Sequence, residues 1–148
     1  MKIKLANKEK CLLQTSFALA CIVPISAGLI GAVYGTQLLA ISARSPDLES
    51  HFRYLSGLLL GLGLCFAFII PNIERRCCEV RVLTFLVLIG GLARLCSIPA
   101  SGTPALPMNL ALVMELIITP SLALWQARIA RRYSIIQSRL DLTQFDGR

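Results

Sequence analysis

Glu115 lies in the middle of one apolar run, at 106–125 (LPMNLALVMELIITPSLALW), and Arg94 lies near the end of another, at 80–98 (VRVLTFLVLIGGLARLCSI). An ionisable side chain inside hydrocarbon is unfavourable by a few to more than ten kcal/mol, so such groups pair with one another or line a polar cavity. Paired, Arg94 and Glu115 fix helix register. Placed beside a ligand, they take a proton, an anionic head group or a small polar solute. Unpaired, a carboxyl at the depth of Glu115 carries a proton or donates a hydrogen bond. Gly90 and Gly91 precede Arg94 by four and three residues, on or near its helical face. They leave room beside the guanidinium for a neighbouring backbone, a water or a ligand.

A second group lies at the other outer end of the chain's apolar runs. His51 and Arg53 precede and enter the run at 52–70. His51 is the chain's one histidine and sits at the outer end of its run. Arg53 leans toward its helix N-terminus and so toward water, as a snorkelling anchor or as part of an outward-opening site. Glu115, Thr119 and Gln126 share a thin polar face on the last run.

The elements that hold these residues follow from composition. The chain has 148 residues, is 55% hydrophobic and 16% charged, and has a mean hydropathy of +0.69. A soluble domain is nearer one quarter charged. Nearly all the charge falls between apolar runs, which excludes a soluble core with one anchor. We read an all-α polytopic membrane protein: a single domain over 1–148, built as an antiparallel bundle of four transmembrane helices at about 11–33, 52–70, 80–98 and 106–125. Residues 126–140 follow as an amphipathic helix on the cytoplasmic leaflet, with Ile129, Tyr133, Ile136 and Leu140 on its apolar stripe. No charge appears from 11 to 43, too long for a signal-peptide core, so the first run reads as an uncleaved span. Pro24 kinks it. Ala27, Gly31 and Gly35, and separately Gly57 and Gly61, have the four-residue spacing of small-residue helix contacts. Ser45-Pro46-Asp47 is a helix start, Thr119-Pro120 permits a bend, and Trp125 marks an interface belt.

Charge placement gives the orientation. Lys2, Lys4, Lys8 and Lys10, then Arg75, Arg76 and Arg81, then Arg128, Arg131, Arg132, Arg139 and Arg148 fall on one side, against Arg44 and Arg53 on the other. Twelve against two places both termini and the middle connection in the cytoplasm, in a bacterial inner membrane. The basic tail, at Arg128, Arg131 and Arg132, suits anionic lipid. Nucleic acid is excluded, since no folded basic domain exists to carry it. Cys11, Cys77 and Cys78 fall on the reducing side, Cys21 and Cys65 lie mid-membrane, and Cys96 alone is near the outer face. They read as small apolar fillers and form no bridge. Adjacent Cys77-Cys78 without a nearby histidine is no zinc site. HExxH, the Walker loop and GxGxxG are absent, and no nucleophile–base set can be assembled.

The stretches HFRYLSGLLLGLG at 51–63, IPNIER at 70–75, GGLARL at 90–95 and GTPALPMNLALVMELIITPSLALWQARIARR at 102–132 resemble an uncharacterised bacterial family of small four-span membrane proteins, a domain of unknown function. The resemblance covers about residues 28–132, with no departure at the matched charged positions. It implies four spans in an inner membrane and brings no activity, cofactor or catalytic residue. A more remote likeness to DoxX-type four-helix membrane proteins is one of architecture alone.

The expected function is a structural or accessory membrane subunit without catalytic activity, metal or cofactor, joined to a copy of itself or to another membrane protein. The alternative is a binder or carrier of a lipid or small solute at Arg94 and Glu115, with Gly90, Gly91, His51 and Arg53 around it. A membrane enzyme ranks last.

Overall fold

The computed structural model describes residues 2–38 and 45–145, with side chains over 8–37 and 45–135. Arg44 and Arg148, and the side chains of Lys2, Lys4, Ile136, Arg139 and Leu140, lie outside the described residues. Helix α1 is Lys2–Tyr34, continued by a 3-10 turn at Gly35–Leu38. Helix α2 is Pro46–Ile69, followed by a 3-10 turn at Ile70–Asn72. Helix α3 is Cys77–Ser101 and α4 is Leu106–Val113. A π turn at Met114–Ile118 joins α4 to α5, Thr119–Phe145. Among the described residues there is no strand.

Among the described residues four stretches are long and apolar enough to cross a membrane: Lys8–Gln37, Pro46–Asn72, Cys77–Ser101 and Leu106–Ile135. The shortest has 25 residues. That is about 37 Å of helix against a hydrocarbon core of about 30 Å. Leu19, Phe68, Phe85 and Leu124 are more than 60% exposed on them, which hydrocarbon, not water, accommodates. The chain is a multi-pass, all-α membrane protein.

Two compact units divide it, one of residues 17–70 and one of 1–16 with 71–148. In the 17–70 unit, α1 and α2 run antiparallel. Ser45 caps α2, its side chain accepting from the Leu48 N–H at 3.1 Å, with Pro46 in the first turn and Asp47 and Glu49 at the positive helix end. The helix therefore begins early enough to make His51 and Arg53 helical residues. Phe17 and Phe66 stack obliquely at 6.1 Å between centroids.

The contact between these two helices is made by glycines other than the spaced pair on α2. A Cβ on Gly28 would lie 2.5 Å from the Leu60 backbone nitrogen, one on Gly31 would strike the Ser56 hydroxyl, and one on Gly63 would lie 2.8 Å from Ile25. Gly57 and Gly61 have nothing within 4 Å of a built Cβ, and Ala27 is exposed. Of the first row, Gly31 and Gly35 do meet α2, at Ser56 and Glu49, and Gly57 and Gly61 are marked by spacing alone. The face of α2 that turns to α1 is set by Ser56, Gly63 and Phe66, all buried, one step around the helix from Gly57 and Gly61.

Arg53 leans toward the N-terminus of its helix, as expected, and meets protein groups there. Its Nη1 donates to the Ala32 and Val33 carbonyls at 2.8 and 3.0 Å, and its Nε to Glu49 Oε1 at 2.6 Å. A cation thus closes the carbonyl end of α1, where the helix dipole is negative. The other Glu49 oxygen accepts from the Thr36 N–H at 2.9 Å and from the Thr36 hydroxyl. Gly35, at φ +60°, turns the chain between them, and a Cβ there would meet the Glu49 carboxylate. Gly35→Ala is expected to destabilise the protein by about 1–2 kcal/mol from the left-handed backbone alone, with more from displacing the carboxylate. Denaturant unfolding in detergent measures it, and a wild-type midpoint would contradict the geometry.

In the other unit, α3 runs antiparallel to α4 and α5. Gly102, at φ +84°, ends α3, its N–H bonding the Ile98 carbonyl. At the far end, the Gln126 side chain is 1% exposed and donates to the Ile73 carbonyl at 2.6 Å and to Cys77 Sγ at 3.3 Å. Gln14 donates to the Pro71 carbonyl at 3.1 Å, Lys10 pairs with Glu74 at 2.8 Å, and Arg132 pairs with Glu9 at 3.2 Å. These bonds fasten the first turns of α1, the 70–76 turn and α5 together. The last span and the basic tail are one continuous helix with no break near Trp125. Ile129, expected on a lipid-facing stripe, is 6% exposed and covered by protein.

Candidate functional site

Pro120 has no N–H to return to the Leu116 carbonyl, and in a regular α-helix its ring crowds that carbonyl. The helix widens just ahead of it. The Thr119 N–H reaches back five residues to the Met114 carbonyl, and the Thr119 hydroxyl donates to the same oxygen at 2.8 Å. Glu115 is carried on this π turn. Such turns occur mostly as single insertions in α-helices, often at functional sites. The expected bend at Thr119-Pro120 is thus realised as an inserted residue, which swings Glu115 relative to the residues beyond it.

Helix α3 comes close to the π turn because Gly91 has no side chain. A Cβ there would lie 2.8 Å from Leu116 Cδ2 and 3.1 Å from Glu115 Cβ. Side chains lean toward the N-terminus of their own helix. On antiparallel helices Arg94 and Glu115 therefore converge. Arg94 Nη1 lies 3.4 Å from Glu115 Oε1. A charge-assisted N–H···O bond is about 2.7–2.9 Å long, so the contact is an ion pair short of that geometry. The Arg94 side chain is 44% exposed and that of Glu115 19%. Glu115 Oε2 is buried and has no hydrogen-bond partner. An unmade acceptor in such surroundings is unfavourable by about 1–3 kcal/mol. The arrangement can take one or two further hydrogen bonds from a polar group of another molecule.

Arg94, Glu115 and Gly91 thus come together, with Gly90 beside them on α3 and nothing within 4 Å of its built Cβ. Arg53 belongs to the 17–70 unit, engaged with Glu49 and the end of α1. His51 is exposed on α2. The polar face of Glu115, Thr119 and Gln126 is not one path: the Thr119 hydroxyl bonds its own helix, and Gln126 bonds the 73–77 segment.

Beyond Thr36 and Ser56, two more buried polar groups have no signal in the sequence pattern, Glu74 and Thr84. Glu74 has a side chain 4% exposed, paired with Lys10 through one oxygen and without a partner on the other. Thr84 is 6% exposed with no partner for its hydroxyl. Glu74 precedes Arg75-Arg76 and looks like connection charge. Its signal, a lysine 64 residues earlier at the same membrane end, needs the fold to be seen. Among the described residues no group of three or more His, Cys, Asp or Glu side chains is placed to hold a metal ion.

The family model for DUF4345, a domain of unknown function, matches residues 12–126. That stretch holds Arg53, Arg94, Glu115 and the π turn. No curated protein and no solved structure matches the chain.

Proposed function

This chain belongs to the DUF4345 family, and we propose that it is a non-catalytic accessory subunit of the membrane, docking a partner protein at the Arg94–Glu115 pair. The observation that carries this reading is the incompleteness of the pair: a guanidinium nearly half exposed, and a carboxylate oxygen buried without a donor. Buried polar groups that serve stability alone are ordinarily satisfied within the chain. The surface around the pair suits a helix. Leu86 and Ile89 are about half exposed next to open Gly90 on α3, and small residues let helix backbones approach closely in lipid. The spans themselves favour company. Of the most apolar windows, that of Cys77–Ser101 is 11% buried by its own chain and that of Leu106–Ile135 none at all. The twelve basic residues on one side favour an inner membrane with both termini in the cytoplasm.

A second reading rests on the same opening. The group that completes the pair belongs to a lipid or small solute, held against Gly90 and Gly91. Native mass spectrometry of the protein, gently extracted from its host membrane, separates the two. A stoichiometric protein partner, lost in Arg94→Gln, is the expected result. A reproducible lipid or solute lost in Arg94→Gln or Glu115→Gln would replace the first reading with the second. A bare chain, alone or as a homo-oligomer unchanged by either variant, would sink both.

A further inference from the structure

A cleft of about 520 Å³ opens in the 1–16 and 71–148 unit, between the start of α3 and the middle of α5. Arg75 and Arg131 line it, with Glu74, Cys77, Ala130 and Tyr133. Glu74 is already neutralised by Lys10, 2.8 Å away. Arg75 and Arg131 have no ion pair or hydrogen-bond acceptor for their side chains among the described residues, whereas Arg53, Arg76, Arg94 and Arg132 each face a carboxylate. The cleft therefore holds two uncompensated guanidinium groups over a largely apolar wall.

Depth fits a head group. Trp125 marks the interface on this span. Arg131 is six residues further along the same helix, about 9 Å beyond it. The head-group layer extends roughly 5–8 Å outside the hydrocarbon, so the Arg131 backbone lies just beyond it and its side chain, leaning toward the helix N-terminus, reaches back into it. Guanidinium groups bind phosphate through paired N–H donors. We propose that this cleft binds the phosphate of an anionic glycerophospholipid, with Arg75 and Arg131 on the phosphate and the glycerol region against Ala130 and Tyr133. The site is separate from the Arg94–Glu115 pair, and stands or falls without it.

The test uses the full chain in detergent, titrated with phosphatidylglycerol and with phosphatidylcholine and followed by native mass spectrometry. Arg75→Gln/Arg131→Gln is expected to weaken phosphatidylglycerol binding roughly ten- to thirty-fold. The control of equal charge change, Lys8→Gln/Arg81→Gln, removes basic residues that do not line the cleft and is expected to weaken it less than about threefold. Equal weakening in both pairs would make the attraction diffuse and overturn the site, as would no weakening in either. Inorganic phosphate that displaces the lipid at millimolar concentration would overturn the lipid assignment in favour of a free anion. A second measurement leaves every arginine in place. In a variant retaining Cys77 alone, phosphatidylglycerol should slow maleimide labelling severalfold and phosphatidylcholine should not. In the variant retaining Cys78 alone, which is exposed, neither lipid should. Unprotected Cys77 would overturn the proposal even if the arginine variants fail to fold.

Discussion

Arg94→Ala is expected to lower the stability of the chain by about 2–4 kcal/mol, and Arg94→Leu/Glu115→Leu to recover most of that loss. Removing one member of a buried ion pair leaves the other charge uncompensated, an effect of about 3–5 kcal/mol in fully buried cases. The range here is reduced because the Arg94 side chain is 44% exposed. The two single variants should not be equal. Arg94→Ala strands a carboxylate that is 19% exposed, on a π turn whose neighbours are apolar. Glu115→Ala strands a guanidinium seven residues from the end of α3, about 10 Å of helix. Freed of Glu115, the long flexible side chain can swing from its present lean toward that end and cover much of the distance to the interface. Glu115→Ala should therefore be the milder change. The double leucine variant removes both charges and supplies apolar volume, so the spans regain their packing. Unfolding in detergent and the amount of chain in the membrane measure all three. Single variants at wild-type stability, or a double variant no better than Arg94→Ala, would show that the two side chains do not act as a pair. If the pair docks a partner, the recovered double variant must still fail to retain it, because stability returns while the polar attachment point does not.

The positions of the helices were legible because hydrocarbon imposes one dominant rule: charge is expelled from about twenty residues at a time. Arg94 and Glu115 stood out as the exceptions to that rule, and their convergence followed from antiparallel helices and the lean of side chains. Other features depend on detail that composition does not carry. The π turn needs Pro120 to act on a particular carbonyl, and sequence shows the proline but not whether the helix bends, breaks or inserts a residue. The glycines of α2 show the same limit. Gly57 and Gly61 carry the recognisable spacing, yet rotation of the helix by one residue brings Ser56, Gly63 and Phe66 inward. The lean of Arg53 toward its helix N-terminus follows from backbone geometry, but the carbonyls of Ala32 and Val33 that receive it, about twenty residues earlier, carry no sequence signal. The buried Gln126 lies on the polar face visible in sequence, but its partner, the Ile73 carbonyl, belongs to a backbone turn that no residue pattern announces.

The glycine rows give the sharpest contrast between spacing and structure. Gly28→Ala is expected to destabilise by about 1–3 kcal/mol, the usual range for overpacking, while Gly57→Ala and Gly61→Ala should be neutral or stabilising by up to about 1 kcal/mol. The intrinsic effect of the exchange is the same at each position, since alanine in a helix interior is favoured over glycine by about 0.5–1 kcal/mol. What differs is the obstacle. At Gly28 the new methyl would lie 2.5 Å from the Leu60 nitrogen and 2.8 Å from its Cα. Backbone cannot rotate out of the way as the tip of a side chain can, so α1 and α2 must move apart. Separation at Gly28 also loosens the contacts at Gly31 and Gly63, each about one turn away on the same seam. At Gly57 and Gly61 nothing lies within 4 Å, and the propensity gain stands alone. Thermal or denaturant unfolding of the purified monomer in detergent orders the three variants. Gly28→Ala at or above wild-type stability would mean that the helices do not meet along this seam. A loss at Gly57→Ala or Gly61→Ala that appears in the membrane and vanishes in the purified monomer has a different physical meaning: the open face is then covered by a second molecule, and the familiar spacing serves association between chains rather than packing within one.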